Sequence, residues 1–145
     1  MDESTFKLEP YIVKGWFAKG SKPTIKYVAN RYQKFHVFGA LGLREIITKV
    51  SPKINAKKYL PFLRRLHKYH KKLCIIVDNA RWHLTKDVLD FIKKRKIKMI
   101  RLLPYSPELN PIEQFWKNIK QYLGIKPFFT KIELLSELKK ALRKD

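Results

Sequence analysis

Two carboxylates, Asp78 and Glu113, stand in surroundings that could bring them together at one place in the fold. Asp78 closes the apolar run KLCIIVD, and Glu113 follows the proline-rich stretch PYSPELNPI, with 34 residues between the two acids. A third acid, Asp2, lies at the amino terminus. Mg²⁺ prefers carboxylate oxygens and waters as ligands, and two such ions about 3.5–4 Å apart stabilise both the attacking and the leaving oxygen of a phosphodiester. Converging acids would therefore suit a site for divalent metal ions.

The elements around Asp78 predict that it lies at the ligand-binding edge of a sheet. The continuous apolar run at residues 73–77 predicts a central parallel strand with both faces buried. A helix is predicted over residues 85–96, and residues 97–103 predict the next strand, parallel to the first. The carboxyl ends of such strands share one edge, where ligands bind in open α/β sheets. Three prolines stiffen the following loop, so it can aim Glu113 at the same edge.

The rest of the chain predicts a single mixed α/β domain, since 145 residues suit one domain. Antiparallel strands come first, predicted at residues 24–29, 35–41 and 45–50. Further helices are predicted at residues 55–70, 111–123 and 131–144. Strands followed by a right-handed βαβ unit predict one mixed sheet covered by helices.

Each acid also has a purely structural interpretation. Asn110 is a good N-cap and Glu113 follows three residues later, which is a capping box that stabilises a helix start without catalysis. Asp78 could form an Asx-turn at the end of its strand. Asp2 is a terminal residue, and terminal residues usually fray. These interpretations remain open beside the catalytic one.

The charge balance predicts a polyanionic partner. The chain has 33 Lys and Arg against 12 Asp and Glu, a formal net charge of +21, which indicates nucleic acid or an anionic membrane unless it only marks a solvated lysine-rich face. No apolar run approaches the roughly 20 residues of a membrane span. No export signal is visible, and the lone Cys74 excludes an intrachain disulfide, so a cytoplasmic protein is expected, associated with the nucleoid if the source is prokaryotic.

Three stretches of the sequence resemble the DDE-type transposases, in particular the insertion-sequence group of the mariner superfamily. They are DESTF at residues 2–6, VDNARWH at 77–83 and LLPYSPELNPIEQFW at 102–116. The resemblance implies a ribonuclease H-like fold, a mixed five-stranded sheet with flanking helices. It also implies that Asp2, Asp78 and Glu113 are the catalytic, metal-binding triad, with two Mg²⁺ (or Mn²⁺) ions bound.

The same resemblance implies that residues 1–145 are a transposase catalytic domain that cleaves DNA at transposon ends and transfers the strands to a target duplex, as a homodimer in the DNA complex. Water would attack first and free a 3′-hydroxyl, which would then attack target DNA. Asn79 and His83 would position a phosphate or an outer water, although His83 could instead make a structural hydrogen bond. Contacts to the DNA backbone are predicted for Arg81, Lys93, Lys94, Arg95, Lys96 and Lys98, of which the lysine-rich run could also complement a helix dipole.

Two departures from the family pattern lead to further expectations. Only Met1 precedes Asp2, which predicts a first strand truncated at its amino end and a loosely held Asp2. Weak or absent activity is therefore expected, with one metal bound loosely at Asp78. The amino-terminal helix-turn-helix region of the family is not among these residues. Two alternatives therefore stay open: an inactive remnant that only binds DNA non-specifically, and another ribonuclease H-like nuclease, for example one that resolves junctions.

Overall fold

The computed structural model describes residues 1–11, 16–21, 24, 30–104, 106–126 and 128–144. Its order of elements is that predicted from residue 30 onward; most of the strand expected at 24–29 lies outside the described residues. The strands are β1 Asp2–Leu8, β2 Asn30–Leu41, β3 Ile46–Ser51, β4 Cys74–Val77 and β5 Lys98–Arg101. The α-helices are α1 Ala56–Tyr69, α2 Lys86–Lys94, α3 Ile112–Ile125 and α4 Lys131–Lys144, with 3-10 turns at Arg81–Leu84 and Pro107–Leu109.

The described strands form two hydrogen-bonded sets rather than one continuous five-stranded ladder. One set has the order β1-β2-β3, with β2 and β3 antiparallel, and the other pairs β4 with β5. The predicted parallel pairing of β4 and β5 is confirmed, with Cys74 opposite Lys98 and Val77 opposite Arg101. The amino group of Met1 donates a hydrogen bond of 2.6 Å to the carbonyl of Ile76, so the start of β1 lies beside β4. The mixed α/β class is confirmed.

The chain divides into two compact units, and the first comprises Met1–Ser4 and His36–Glu113. Its core packs β4 against α1 and α2, with Ile75 and Val77 as the contributions of β4. The other buried apolar residues of this core are Phe38, Tyr59, Phe62, Leu63, Leu66, Val88, Ile92 and Ile97. The expectation that β4 is buried on both faces is wrong, because Cys74 is exposed and Ile76 is 48% exposed. Side chains alternate along a strand, and the core occupies only the face of Ile75 and Val77.

The second unit comprises Thr5–Phe35 and Gln114–Asp145. Its described core includes Phe6, whose ring meets that of Trp116 edge to face with the centroids 6.2 Å apart. Helix α4 begins with a complete capping box. Thr130 Oγ1 accepts a hydrogen bond from the backbone N–H of Glu133, and the Glu133 carboxylate accepts bonds from the N–H groups of Thr130 and Phe129.

The hydroxyl of Tyr59 is a buried polar group without a hydrogen-bond partner among the described residues. Burial raises the pKa of this phenol far above its usual range. Because an unsatisfied buried hydroxyl destabilises the folded state, we expect Tyr59→Phe to raise the free energy of unfolding by about 1 kcal/mol. Urea unfolding followed by circular dichroism measures this change.

Tyr11→Phe is the matched control. The Tyr11 hydroxyl accepts a hydrogen bond of 2.8 Å from the N–H of Lys7 and lies 3.3 Å from its carbonyl. Removing it should therefore lower the free energy of unfolding by about 1 kcal/mol. Equal losses of stability in both variants would show that the Tyr59 hydroxyl is satisfied.

Candidate active site

The three predicted acids line one cavity in the first unit. Asp2 comes from the start of β1, Asp78 follows the last residue of β4, and Glu113 lies in the first turn of α3. The cavity has a volume of about 400 Å³, and its other lining residues are Asn79, Leu102, Leu103, Pro104, Ser106 and Asn110. Asp2 is only 8% exposed within β1, which differs from the expectation of a loosely held residue. The structure thus brings together acids from three distant parts of the sequence.

The loops after β4 and β5 are tied together beside this cavity. The backbone N–H of Leu102 donates to the carbonyl of Val77 at 2.8 Å, which continues the parallel ladder past the end of β5. The side-chain amide of Asn79 donates to the carbonyl of Leu102, also at 2.8 Å. Asn79 therefore fixes the exit of one strand against the exit of the other, and the proline-rich loop leaves from a defined position.

Two hydrogen bonds orient the Asp78 carboxylate, and both fall on the same oxygen. Oδ1 accepts from the backbone N–H of Ala80 at 3.0 Å, which is the predicted Asx-turn, and lies 3.0 Å from Nδ1 of His83. The hydrogen bond from His83 is the main cause that lowers the pKa of Asp78, so the carboxylate is ionised at neutral pH. Oδ2 takes part in neither bond. The Asx-turn and a ligand role at the cavity are therefore compatible.

The capping-box interpretation of Glu113 is not supported by its contacts. The backbone N–H of Glu113 donates to the carbonyl of Asn110 at 3.0 Å, as at any helix start. Within the described parts of the chain, however, no hydrogen bond joins the Glu113 carboxylate to the N–H of Asn110, whereas Glu133 makes the equivalent bond in α4. The Glu113 side chain is exposed and borders the cavity. It is therefore available for a ligand.

His83 connects Asp78 to a fourth acid, Glu3. The imidazole is fully buried, with Nδ1 3.0 Å from Asp78 Oδ1 and Nε2 3.1 Å from Glu3 Oε1. Burial alone would lower the pKa of His83, but its hydrogen bonds to Asp78 and Glu3 outweigh burial and raise the pKa to about 9. The ring is thus an imidazolium that donates to two carboxylates. Because both ring nitrogens are bonded to carboxylates, neither is available to bind a phosphate. His83 therefore influences the cavity by orienting the Asp78 carboxylate.

Glu3 is the site residue that the sequence reasoning missed. Side chains alternate along β1, so Asp2 and Glu3 point to opposite faces of the strand. The Glu3 side chain is only 4% exposed, and acids are rarely buried without a partner. Its partner His83 lies 80 residues away. The adjacent acids of DESTF were the available signal, but no local pattern indicated which residue Glu3 would contact.

Two sets of side chains could hold a cation, and their chemistry differs. Ligand atoms of Glu3, Asp78 and His83 lie within 4.8 Å of one another. Both ring nitrogens of His83 are already bound to carboxylates, however, and an imidazole ligand suits transition metals better than Mg²⁺. Asp2, Asp78 and Glu113 offer oxygen atoms alone, around a cavity of about 400 Å³. This second set fits the hard ions Mg²⁺ and Mn²⁺.

The residues predicted to contact DNA separate into two places. Arg81 is exposed in the 3-10 turn directly after Asp78, on the edge that bears the cavity. The run formed by Lys93, Lys94, Arg95, Lys96 and Lys98 does not share that edge, because α2 returns to the amino end of the strands and Lys98 pairs with Cys74, the first residue of β4. The run therefore lies at the opposite edge of the β4–β5 pair from the acids, and its contact with DNA remains a prediction.

The raised pKa of His83 makes folding stability dependent on pH. The ordinary pKa of 6.5 applies to the unfolded chain, and the folded pKa is about 9. The stabilisation is therefore complete below about pH 6.5 and is lost as the pH rises through about 9. In metal-free buffer, we expect the urea midpoint of the wild type to fall between pH 7 and pH 10 more steeply than that of His83→Gln. If the urea midpoints of the two proteins changed in the same way with pH, His83 would not be a stabilising imidazolium in the folded protein.

Similarity to solved structures defines the fold. A Mos1 transposase paired-end complex with the left transposon end matches with a TM-score of 0.73 and 19% identity, over 99% of this chain and 47% of that chain. The catalytic domain of Mos1 mariner transposase matches with a TM-score of 0.68 and 16% identity, over 83% of this chain and 66% of that one. The catalytic core domain of BIV integrase matches with a TM-score of 0.55 and 17% identity, over 74% of this chain and 72% of that one. The fold is that of the ribonuclease H-like catalytic domains.

The family follows from the sequence as a whole. The family described as DDE superfamily endonuclease matches residues 1–136, and the chain belongs to this family of enzymes. No curated protein sequence gives a significant match. The chain spans about half the length of the Mos1 chains in the paired-end complexes, 47% in one of them. No helix in the described parts of the chain is long and apolar enough to cross a membrane.

Proposed function

We propose that this chain is the catalytic domain of a transposase, which cleaves DNA strands at transposon ends and joins them to a target duplex. The observation that carries the proposal is the single cavity lined by Asp2, Asp78 and Glu113 in a DDE superfamily endonuclease. The Mos1 structures with the same fold include a paired-end complex and a strand transfer complex. The chemistry of the acids and the family therefore favour the same reaction.

The three carboxylates would hold two Mg²⁺ or Mn²⁺ ions between them. Bound there, the ions would lower the pKa of a water and neutralise charge on the scissile phosphate. Asp78 is oriented for this role by Ala80 and His83, which occupy Oδ1. Glu113 is exposed and makes no capping bond, so its carboxylate can turn into the cavity. Asp2 belongs to β1 and is buried, so its position is set by the strand.

The residues around the acids suit a phosphodiester chain. Arg81 is exposed immediately after the Asx-turn, where its guanidinium can contact a phosphate on either side of the scissile bond. Asn79 is committed to the carbonyl of Leu102, so it positions the loops and does not bind the substrate through its amide nitrogen. The net charge of +21 favours a polyanion as large as duplex DNA. The proposed partners are therefore transposon ends and a target duplex.

A nicking and strand-transfer assay tests the proposal. The protein is incubated with supercoiled plasmid and, separately, with a labelled duplex that ends in a free 3′-hydroxyl, in Mg²⁺, Mn²⁺ or a chelator. We expect nicked circles and joined products with either metal and neither product with the chelator. Metal-dependent nicking without any joined product would indicate another ribonuclease H-like nuclease. The absence of both products in protein that binds DNA would favour a remnant that only binds DNA.

A further inference from the structure

A second feature of the first unit, remote from the acids, is a cleft between α1 and α2. Its volume is about 800 Å³. Five cations line it, and we call this surface the basic cleft: Arg64, Lys68, Lys71, Lys94 and Arg95. All five are exposed, and within the described parts of the chain none makes an ion pair with a carboxylate. Two acids, Asp87 and Asp90, also border the cleft, so its lining carries a net positive charge.

The basic cleft lies toward the edge of the β4–β5 pair that is opposite the acids. Helix α1 ends at Tyr69 shortly before β4 begins, and α2 ends at Lys94 shortly before β5 begins. Lys68, Lys71 and Lys94 are therefore near the amino ends of both strands, whereas Asp78 follows the carboxyl end of β4. Four strand residues at about 3.3 Å each put roughly 13 Å between the two edges. The basic cleft and the acids therefore lie toward different ends of the same two strands.

An aromatic ring holds two of the five cations in place. The guanidinium of Arg64 lies 5.8 Å and that of Arg95 6.0 Å from the centroid of the Phe91 ring. Both distances are within the range of a cation–π contact. The His67 ring packs edge to face on Phe91 at 6.0 Å. The ring is thus engaged by its neighbours and is a poor platform for stacking a base, while the guanidinium groups are pre-organised for oxygen acceptors.

We propose that the basic cleft docks the phosphate backbone of a duplex DNA segment other than the one held at the acids. The proposal rests on the proposed function for its choice of DNA as the polyanion. Guanidinium and ammonium groups without carboxylate partners match the phosphates of a duplex, which carries one negative charge for about every 1.7 Å of its axis. The covered ring disfavours single strands, whose binding depends on stacking. Contacts of this kind position a duplex without reading its sequence.

Two double variants test the cleft by the salt dependence of duplex binding. The first is Lys68→Gln with Lys94→Gln, and the matched control is Lys139→Gln with Arg143→Gln, which removes the same charge from exposed positions of α4. Affinity for a fluorescent duplex is measured by anisotropy over a range of NaCl concentrations. Loss of two phosphate contacts should reduce the log–log salt slope by about 1.8 in the cleft variant and leave it nearly unchanged in the control.

A bridging assay tests whether the cleft holds a second duplex. A biotinylated duplex is captured with the protein, and retention of a separate fluorescent duplex is measured. Wild type and Asp78→Asn should retain the second duplex, and the cleft variant should lose most of that retention. Equal slopes and equal retention in the cleft variant and the control would overturn the proposal. Neither assay measures cleavage. A protein that bridges duplexes but never nicks DNA would therefore refute the proposed function and still support DNA binding by the basic cleft.

Discussion

Asp78→Asn and Glu113→Gln should each lower the rate of Mg²⁺-dependent DNA cleavage on the order of 1,000-fold, and Asp2→Asn should do the same. Each change replaces a charged oxygen ligand by a neutral amide at a cavity whose acids would hold both ions. The loss of several kcal/mol of charge stabilisation in the transition state corresponds to that factor. Single-turnover cleavage of a labelled duplex measures the rate. DNA affinity, measured by anisotropy, should change little, because the basic side chains remain.

Glu133→Gln is the matched control for Glu113→Gln. Glu133 occupies the same position in α4 and makes the capping bonds that Glu113 does not make. Its replacement should leave the cleavage rate unchanged, since glutamine also serves in a capping box. If Glu113→Gln cleaved DNA at the wild-type rate, Glu113 would be no more than a helix-start residue, and the assignment of the third acid would fail.

Glu3→Ala should weaken Mn²⁺ binding and lower cleavage by about 10- to 100-fold, although Glu3 does not line the cavity. Its carboxylate lies 3.1 Å from His83 Nε2, and His83 in turn holds Asp78 at 3.0 Å. Removing Glu3 leaves the imidazole without one of its two anchors, so Asp78 loses its fixed orientation. Changes in groups that orient metal ligands have effects of this size. Calorimetric titration with Mn²⁺ and single-turnover cleavage measure both consequences.

Glu3→Gln separates positioning from a general effect on folding. Its side-chain oxygen can still accept the hydrogen bond from Nε2, so Mn²⁺ affinity and cleavage should recover most of the loss. Raising the Mn²⁺ concentration should also restore part of the rate in Glu3→Ala. Weaker stability with unchanged Mn²⁺ affinity in a folded Glu3→Ala protein would show that Glu3 only supports the core.

The placement of Asp78 and Glu113 could be predicted from the strand and loop pattern, whereas Asp2 was assigned only through the family resemblance. An apolar run ending in Asp78 indicates a strand, and the parallel return through α2 brings the proline-rich loop to the same edge. The structure accordingly finds Asp2, Asp78 and Glu113 on one cavity. The family and the fold class could also be predicted from the sequence, because three separate motifs resemble those of the family.

What the sequence left undetermined depends on tertiary packing. The apolar residues of β4 do not reveal that Cys74 and Ile76 are exposed, since this depends on which face α1 and α2 cover. The sequence predicted DNA contacts for the lysine-rich run beside β5 without saying where it lies, and the strand direction puts it at the edge opposite the acids. The local pattern predicts a capping box at Glu113, but within the described parts of the chain its carboxylate makes no bond to the N–H of Asn110. The contact between Glu3 and His83 spans 80 residues.

Anomalous diffraction from crystals soaked in Mn²⁺ tests the central claim most directly, because it locates the ions without relying on activity. We predict two Mn²⁺ peaks in the cavity, each within coordination distance of carboxylate oxygens of Asp2, Asp78 or Glu113, with His83 Nδ1 still bonded to Asp78. Both peaks should disappear or weaken in Asp78→Asn. A peak between Glu3 and His83 with none at Glu113, or no peak at all at saturating Mn²⁺, would contradict a two-metal site formed by these three acids.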